Sequence, residues 1–358
     1  MKAKKFCIIA FVLAIVLLIA PISDSGAEEE PEVKISGDYE YYILDDGTAC
    51  ITKYNGNDEK VIVPEKLDGI RVTDIGYSAF SFLENLKEIK IPDSVQSIGF
   101  GAFDGCINLT EITIPDSVEK IGDNPFIGCE NLLNINISAN NPTLEFVDNA
   151  LIYKSEKRLV CYLSASEESK YEISKEIKVI GDSAFSECEN LKEITIPDSV
   201  VYIGNYAFLK CENLKEISIP EGLRLIGKST FYGCKNLTKI NIPASVKFID
   251  NSAFYLCENL TEINIPDGVQ SIGDRAFIFC DKLTEVNVPD GTQAIGYRAF
   301  YACKNLTKIN ITASVKYIGE EAFDMCFMLT ATVEKGSFAE KYCIENNIKY
   351  MYEDSLKN

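Results

Sequence analysis

The sequence predicts a repeat solenoid: a β-dominated stack of 23-residue coils with short 3₁₀ or α turns, closed by an atypical cap at each end. Three observations carry this. A phenylalanine recurs as Phe80, Phe103, Phe126, Phe185, Phe208, Phe231, Phe254, Phe277, Phe300 and Phe323, with a spacing of 23 residues broken once. Around it runs the pattern V-x-x-I-G-x-x-A-F-x-x-C-x-N-L-x-x-I-x-I-P, as in Val200 to Pro220. A fixed period between about 20 and 50 residues is the signature of stacked units, none of which can bury its apolar face alone. Finally, the apolar spacing changes inside each unit, from alternation around Ile217 and Ile219 to the close set Ala207, Phe208, Cys211 and Leu214.

Taken in order, the chain begins with a leader. Lys2, Lys4 and Lys5 precede the apolar run Phe6 to Ala20, and Ser25-Gly26-Ala27 offers small residues at a cleavage site before Glu28. That arrangement predicts a signal peptide over residues 1–27, since a run of this length is short for a membrane span. Residues 28–71 are read as a linker and β cap. Tyr39 to Leu44 and Thr48 to Thr52 flank Asp45-Asp46-Gly47, which predicts a hairpin, and Val61 to Pro64 reads as a third strand.

The solenoid is expected over residues 72–333. In each unit Ile217, Ile219 and their equivalents alternate with polar residues, so one strand face is buried, and Pro220 ends the strand. Val200 to Ile203 is a second short extended segment, and Gly204 is expected to permit a turn conformation closed to other residues. Ala207, Phe208, Cys211 and Leu214 suit a single 3₁₀ or α turn that Asn213 ends. The one break, about 138–176, reads as longer irregular coils with a hairpin around Lys154-Ser155-Glu156-Lys157. Over 334–358, a short helix at Gly336 to Tyr342 and a last strand at Ile348 to Tyr352 form the C-terminal cap.

Composition narrows the function. A net charge of −19 disfavours nucleic acid, which needs a basic face, and anionic membranes. The chain has no histidine, which removes Ser-His-Asp and Cys-His nucleophiles and most zinc sites. No catalytic residue, metal or cofactor is expected, and no membrane insertion of the mature chain.

Three columns of chemistry-bearing residues have plain structural readings. The cysteines Cys106, Cys129, Cys188, Cys211, Cys234, Cys257, Cys280, Cys303 and Cys326 are near enough in a stack for disulfides, yet side chains in a ladder point the same way. Buried thiols acting as small apolar fillers are the expectation. Asn108, Asn236, Asn259 and Asn305 begin N-L-T sequons that a structural turn asparagine also explains. Asp93, Asp116, Asp198, Asp267 and Asp290 follow the strand proline, where a local Asx bond competes with calcium binding.

Candidate binding residues lie where the pattern is silent. Val179, Tyr202, Leu225 and Phe248 form one apolar column, and Tyr232, Tyr255, Ile278 and Tyr301 a second, at positions polar or small in other units. Exposed contiguous apolar residues mark interaction sites. A third column, Glu193, Glu216, Lys239, Glu262, Glu285 and Lys308, reads as a polar, acidic sheet face.

The units with I-P-x-S-V-x-x-I-G-x-x-A-F-x-x-C-x-N-L, such as Ile91-Pro92-Asp93-Ser94-Val95 and Ile196-Pro197-Asp198-Ser199-Val200, resemble the BspA-like (Treponema-type) leucine-rich repeats. The resemblance spans roughly residues 40–352. It implies a curved, right-handed solenoid of leucine-rich-repeat type and a secreted or cell-surface binding protein. Some similar members act as adhesins for host matrix proteins or other cells. The family's usual wall-sorting signal, stalk or attachment module is not evident in these residues. The expected role is therefore extracellular recognition of a protein or glycan over an extended repeat face. Self-association through edges or tyrosine columns is the alternative. A carboxylate-based glycosidase is a further one, which the repeating Glu column supports with no distinguished pair.

Overall fold

The structure is a computed structural model and describes residues 31–353. The signal peptide expected over residues 1–27 lies outside the described residues. The chain forms two compact units, one running to Ser155 and including Val160–Ala165, the other comprising Glu156–Leu159 and everything from Ser166. Each unit is a stack of coils whose strands pair in parallel with the equivalent strands of neighbouring coils.

In the first unit the hairpin forms where it is expected. Strands Tyr39–Ile43 and Ala49–Tyr54 pair antiparallel, and Gly47 takes φ +80° in the turn. Ala49–Tyr54 also pairs in parallel with Ile70–Ile75, so the hairpin arm is already the first coil. Strand Lys60–Ile62 lies parallel to Glu88–Lys90 in the second sheet. Two antiparallel pairs were not visible in the spacing: Lys34–Ser36 with Tyr39–Ile43, and Lys66–Leu67 with Ile70–Ile75. The irregular segment carries the strand Ala150–Tyr153 beside Arg158–Tyr162, as its sequence predicts, and an added hairpin arm Leu144–Val147.

Besides ladders of two-residue strands, the second unit holds two sets of longer parallel strands. One contains Lys170–Glu172, Glu193–Thr195, Glu216–Ser218 and Lys239–Asn241; the other contains Glu285–Val288, Lys308–Ile311, Thr330–Val333 and Lys349–Tyr352. Between them residues 261–266 carry no strand, although Ile263 and Ile265 are buried like their equivalents. Helix Phe338–Glu345 closes the last coil; its first turn is capped by Ser337, whose hydroxyl accepts the Glu340 amide at 3.1 Å.

The core of each unit is a column of phenylalanine rings. Phe185 to Phe323 stack at centroid distances of 5.0–5.6 Å, with Tyr171 tilted against the first ring and Tyr342 standing edge-on to the last. In the first unit Tyr54 stacks on Phe80, followed by Phe103 and Phe126. Tyrosine suits the end positions because its body is apolar and its hydroxyl can meet polar surroundings.

The segment around each phenylalanine is not the 3₁₀ or α turn that the spacing suggests. It is a run of tight turns broken by left-handed residues two before and two after the ring, such as Ser183 (φ +57°) and Glu187 (φ +61°), or Tyr206 (φ +58°) and Lys210 (φ +54°). The reason lies in where the amides point. The Ala184, Ser186 and Cys188 amides close turns within their coil, while those of Ser183, Phe185 and Glu187 donate to Asn205, Ala207 and Leu209 of the next coil at 2.7–2.9 Å. A helix would aim all its amides along its own axis and leave the neighbouring coil unsatisfied. The gain in inter-coil bonds offsets left-handed conformations costing about 1–2 kcal/mol each at non-glycine residues.

Glycine at position 204 has a different cause from the one its sequence suggests. Gly204 does not have a positive φ; a Cβ there would meet the Asp182 amide nitrogen at 2.5 Å and the Gly181 carbonyl carbon at 2.6 Å. Gly273, Gly296 and Gly319 face the preceding coil in the same way. Close backbone approach between coils, rather than turn geometry, excludes a side chain. The turn after the strand proline is likewise closed by backbone, with the Val200 amide donating to Pro197 at 3.0 Å, while Asp198 is exposed.

The cysteine and asparagine columns bind coil to coil. The Cys211 thiol donates to the Phe185 carbonyl at 3.0 Å, and Cys106, Cys129, Cys234, Cys257, Cys280, Cys303 and Cys326 repeat that bond at 3.0–3.2 Å. Each of these thiols is unbridged. The Asn213 amide donates to the Glu189 carbonyl at 2.9 Å, and Asn108, Asn259 and Asn305 do the same to Glu84, Lys235 and Asp281. The sequon asparagines therefore staple successive coils through the nitrogen that a glycan would need.

Candidate interaction surface

The two-residue strands of the second unit alternate one buried isoleucine with one outward residue. Ile180, Ile203, Ile226, Ile249, Ile272, Ile295 and Ile318 point inward. The outward residue is Val179, Tyr202, Leu225, Phe248, Ser271, Ala294 or Tyr317. Val179 pairs with Tyr202, and Leu225, Phe248, Ser271, Ala294 and Tyr317 follow one another in register. Tyr202, Phe248 and Tyr317 are 44%, 43% and 55% exposed; Val179 and Leu225 are half-buried. Exposed Val201 adjoins Tyr202. Tyr317 extends the row beyond the residues its sequence singles out, and the recurrent Tyr-Ile before glycine at 202 and 317 is the signal that could have found it.

The second column has another character. Tyr232 and Tyr255 stack face to face at 4.7 Å with their planes 4° apart. Phe279 stands edge-on between Tyr255 and Tyr301, at 5.9 and 6.2 Å. Ile278, expected on this face, is only 4% exposed. Phe279 is left-handed and takes the place in the aromatic row that Ile278 was expected to fill. Arg298 lies 5.1 Å over Tyr301 and 4.8 Å over Tyr297, while Arg275 covers Tyr297 at 5.1 Å. Arg298 also pairs with Glu321 at 2.6 Å. Burial, then the neighbouring Tyr232 hydroxyl, pushes the Tyr255 pKa up. These rings spend much of their surface on one another, so the row consolidates the coils and offers little open apolar area.

The strand column is less acidic than it reads in the sequence. Glu193, Glu216, Lys239, Glu262, Glu285 and Lys308 are all exposed. Register adds Lys170 opposite Glu193, with an ion pair of 2.7 Å, and Lys349 opposite Thr330 at the far side. Glu216 lies opposite Lys239, and Glu285 opposite Lys308. Positive and negative charges therefore balance along this face. The irregular coil and the cap supply the two lysines, so a fixed spacing could not reveal them.

Among the described residues, two carboxyl groups are held above the ordinary range, both chiefly by burial: Asp74 in the first unit and Asp182 in the second. Each has a local structural role. Asp74 accepts the Thr73 hydroxyl at 2.7 Å, and Asp182 accepts the Asn205 amide of the next coil at 2.9 Å. Asn251 and Asp274 repeat the latter bond to Asp274 and Tyr297. Among the described residues, no group of three or more His, Cys, Asp or Glu residues is placed to hold a metal ion. No helix of the described residues is long and apolar enough to cross a membrane.

Comparison with known proteins agrees with this architecture. The family model of the BspA type leucine rich repeat region matches residues 55–156, 160–257 and 247–349 in six copies. No curated protein matches the chain. Among solved structures, a leucine-rich repeat protein from Eubacterium ventriosum is 26% identical with a TM-score of 0.60, over 81% of this chain and 93% of that one. The pneumococcal vaccine antigen PcpA shares the fold at 18% identity and a TM-score of 0.51, over 90% of this chain and 99% of that one. With the repeat match covering most of its length, the chain belongs to the BspA-type leucine-rich repeat family.

Proposed function

We propose that this is an extracellular recognition protein: exported, non-catalytic, and docking a protein partner on the aromatic row Tyr202, Phe248 and Tyr317. The observation that carries the reading is the row itself, three large rings 43–55% exposed on parallel strands whose alternate residues form the core. Apolar surface left in water at aligned positions marks an interaction site, and tyrosine is a favoured anchor there. Export is supported by Lys2, Lys4 and Lys5 before the apolar run Phe6 to Ala20. A non-catalytic role is supported by the local bonds of Asp74 and Asp182, which occupy the two carboxyls whose pKa is raised as a general acid requires.

The test is a binding screen of the chain against extracellular matrix proteins and glycans, followed by the triple variant Tyr202→Ser, Phe248→Ser, Tyr317→Ser. Loss of two anchors or more is expected to weaken protein binding by about 100-fold. Circular dichroism and melting temperature are expected to stay unchanged, because all three rings are exposed. Undiminished binding by the variant, or binding to glycans alone, would contradict the reading.

A further inference from the structure

Among the described residues the first and last coils each leave one strand edge uncovered, while the other strand of the first coil, Ala49–Tyr54, is covered by the hairpin arm Tyr39–Ile43. Strand Lys60–Ile62 is the last member of its sheet on one side, and Lys349–Tyr352 is the last member of its own. Both pair with their single neighbour in parallel, Lys60–Ile62 with Glu88–Lys90 and Lys349–Tyr352 with Thr330–Val333.

The two edges are complementary in register. Within the stack the Glu88 amide donates to Glu59 at 3.1 Å and the Val63 amide to Lys90 at 3.0 Å. Odd-numbered residues of the first strand therefore face the second coil, and the main-chain groups of Lys60 and Ile62 turn the other way. By the same alternation the Thr330 amide reaches back to Thr307 at 2.9 Å, so the forward-facing groups of the last strand belong to Ile348, Tyr350 and Tyr352. Laying Lys60–Ile62 of one molecule on Lys349–Tyr352 of another continues the parallel ladder with no change of frame. Ile62 then sits beside Met351.

The side chains at that position single out a second copy as the occupant. The outward residue is polar in the coils between, as at Lys90, Thr113, Asn136, Thr195, Ser218, Asn241, Asn287, Asn310 and Thr332. Among the described residues it is apolar only in the first and last strands of the series, as Ile62, 74% exposed, and Met351, 40% exposed. Further exposed apolar residues lie in these end coils, Ile35 and Phe82 in the first ones and Phe327 and Met328 in the last, as others do at Leu133 and Val201 in the coils between. Phe327 stands where Lys304, Asp281 and Glu258 stand in earlier coils.

We propose that the protein self-associates head to tail, the strand Lys349–Tyr352 of one molecule pairing in parallel with Lys60–Ile62 of the next. The contact is heterologous, so each molecule keeps one used and one open edge. Two features oppose it and set its salt dependence. Tyr39 donates to the Ile62 carbonyl through a long 3.4 Å bond that must yield. Lys60 and Lys349 come side by side, although Lys60 already pairs with Glu88 at 2.7 Å. Screening that repulsion strengthens assembly as ionic strength rises. This proposal does not depend on the recognition reading above.

Sedimentation velocity across a concentration series tests it, with Ile62→Lys and Met351→Lys as edge-blocking variants. Both positions are exposed, and unchanged melting curves verify folding. The wild type is expected to grow in mass with concentration, and each variant to associate about tenfold more weakly. An equimolar mixture of the two variants retains one good edge of each kind and is expected to stop at a one-to-one dimer. A wild type that stays monomeric at high salt, a wild type that stops at a dimer, variants that assemble as well as the wild type, or a mixture that stays monomeric would each overturn the proposal.

Discussion

Gly204 and Gly227 occupy the same column and face different neighbourhoods. A Cβ at Gly204 would lie 2.5 Å from the Asp182 amide nitrogen, whereas at Gly227 it would meet a side-chain atom, the Asn205 Oδ1 at 2.9 Å, with the nearest backbone atom, the Asn205 Cα, 3.7 Å away. Between these coils the parallel strands Tyr202–Ile203 and Leu225–Ile226 fall in separate sheets, so the stack is more open there. Gly204→Ala is therefore expected to cost about 2–3 kcal/mol through overpacking, and Gly227→Ala less than about 1 kcal/mol. Equal losses in urea denaturation would contradict this. The need for glycine was legible in the sequence, but its cause was not, because the atom that excludes the side chain belongs to a residue more than twenty positions away.

The thiols predict a pH dependence. Burial pushes Cys106 and Cys211 up to about 12, and raises Cys129, Cys234, Cys257, Cys280 and Cys303 as well. An unfolded thiol ionises near pH 8.5–9, roughly its ordinary value, so the unfolded chain releases protons that the folded chain retains. The stabilisation is complete below pH 9 and is lost as pH climbs towards about 12, at about 1.4 kcal/mol per pH unit for each thiol. Melting temperature measured in reductant is expected to hold level to about pH 8.5 and then fall steeply. A level profile to pH 11 would show that the thiols are not buried in this way.

At the level of elements, the alternation of Ile217 and Ile219 with polar residues specified its strands correctly, because a one-sided sheet writes its period directly into the chain. The turn run did not write its geometry so plainly. Ala207, Phe208, Cys211 and Leu214 have helical spacing, yet left-handed Tyr206 and Lys210 bracket the ring. Their side chains carry no mark of that conformation, since inter-coil hydrogen bonds impose it. The helix Phe338–Glu345 was legible from its own residues, and what it does is set by Tyr342. The buried Tyr342 hydroxyl accepts the Ala322 amide at 3.2 Å and donates to the Gly319 carbonyl at 3.3 Å. Tyr342→Phe is expected to cost about 1–3 kcal/mol by leaving those groups unpaired. Because repeat stability is local, hydrogen exchange should quicken first in residues 317–333 and leave earlier coils protected. A uniform change, or none, would contradict the capping role.

For the whole molecule, the repeat residues define a scaffold and the exceptions to them define its surface. Tyr202 and Phe248 are recognisable as exceptions and Tyr317 joins them through strand register, while in the second column Ile278 is buried and Phe279 takes its place. The charge balance of the strand face is hidden in the sequence for a related reason, since Lys170 and Lys349 enter it from segments outside the 23-residue phase. The central claim is that partners dock on the open row and not on the self-stacked one. Hydroxyl-radical footprinting of the chain with a captured protein partner tests this most directly. The account predicts that Tyr202, Phe248 and Tyr317 lose reactivity on binding while Tyr232, Tyr255 and Tyr301 keep theirs. Unchanged labelling of Tyr202, Phe248 and Tyr317, with protection elsewhere on the chain, would contradict it.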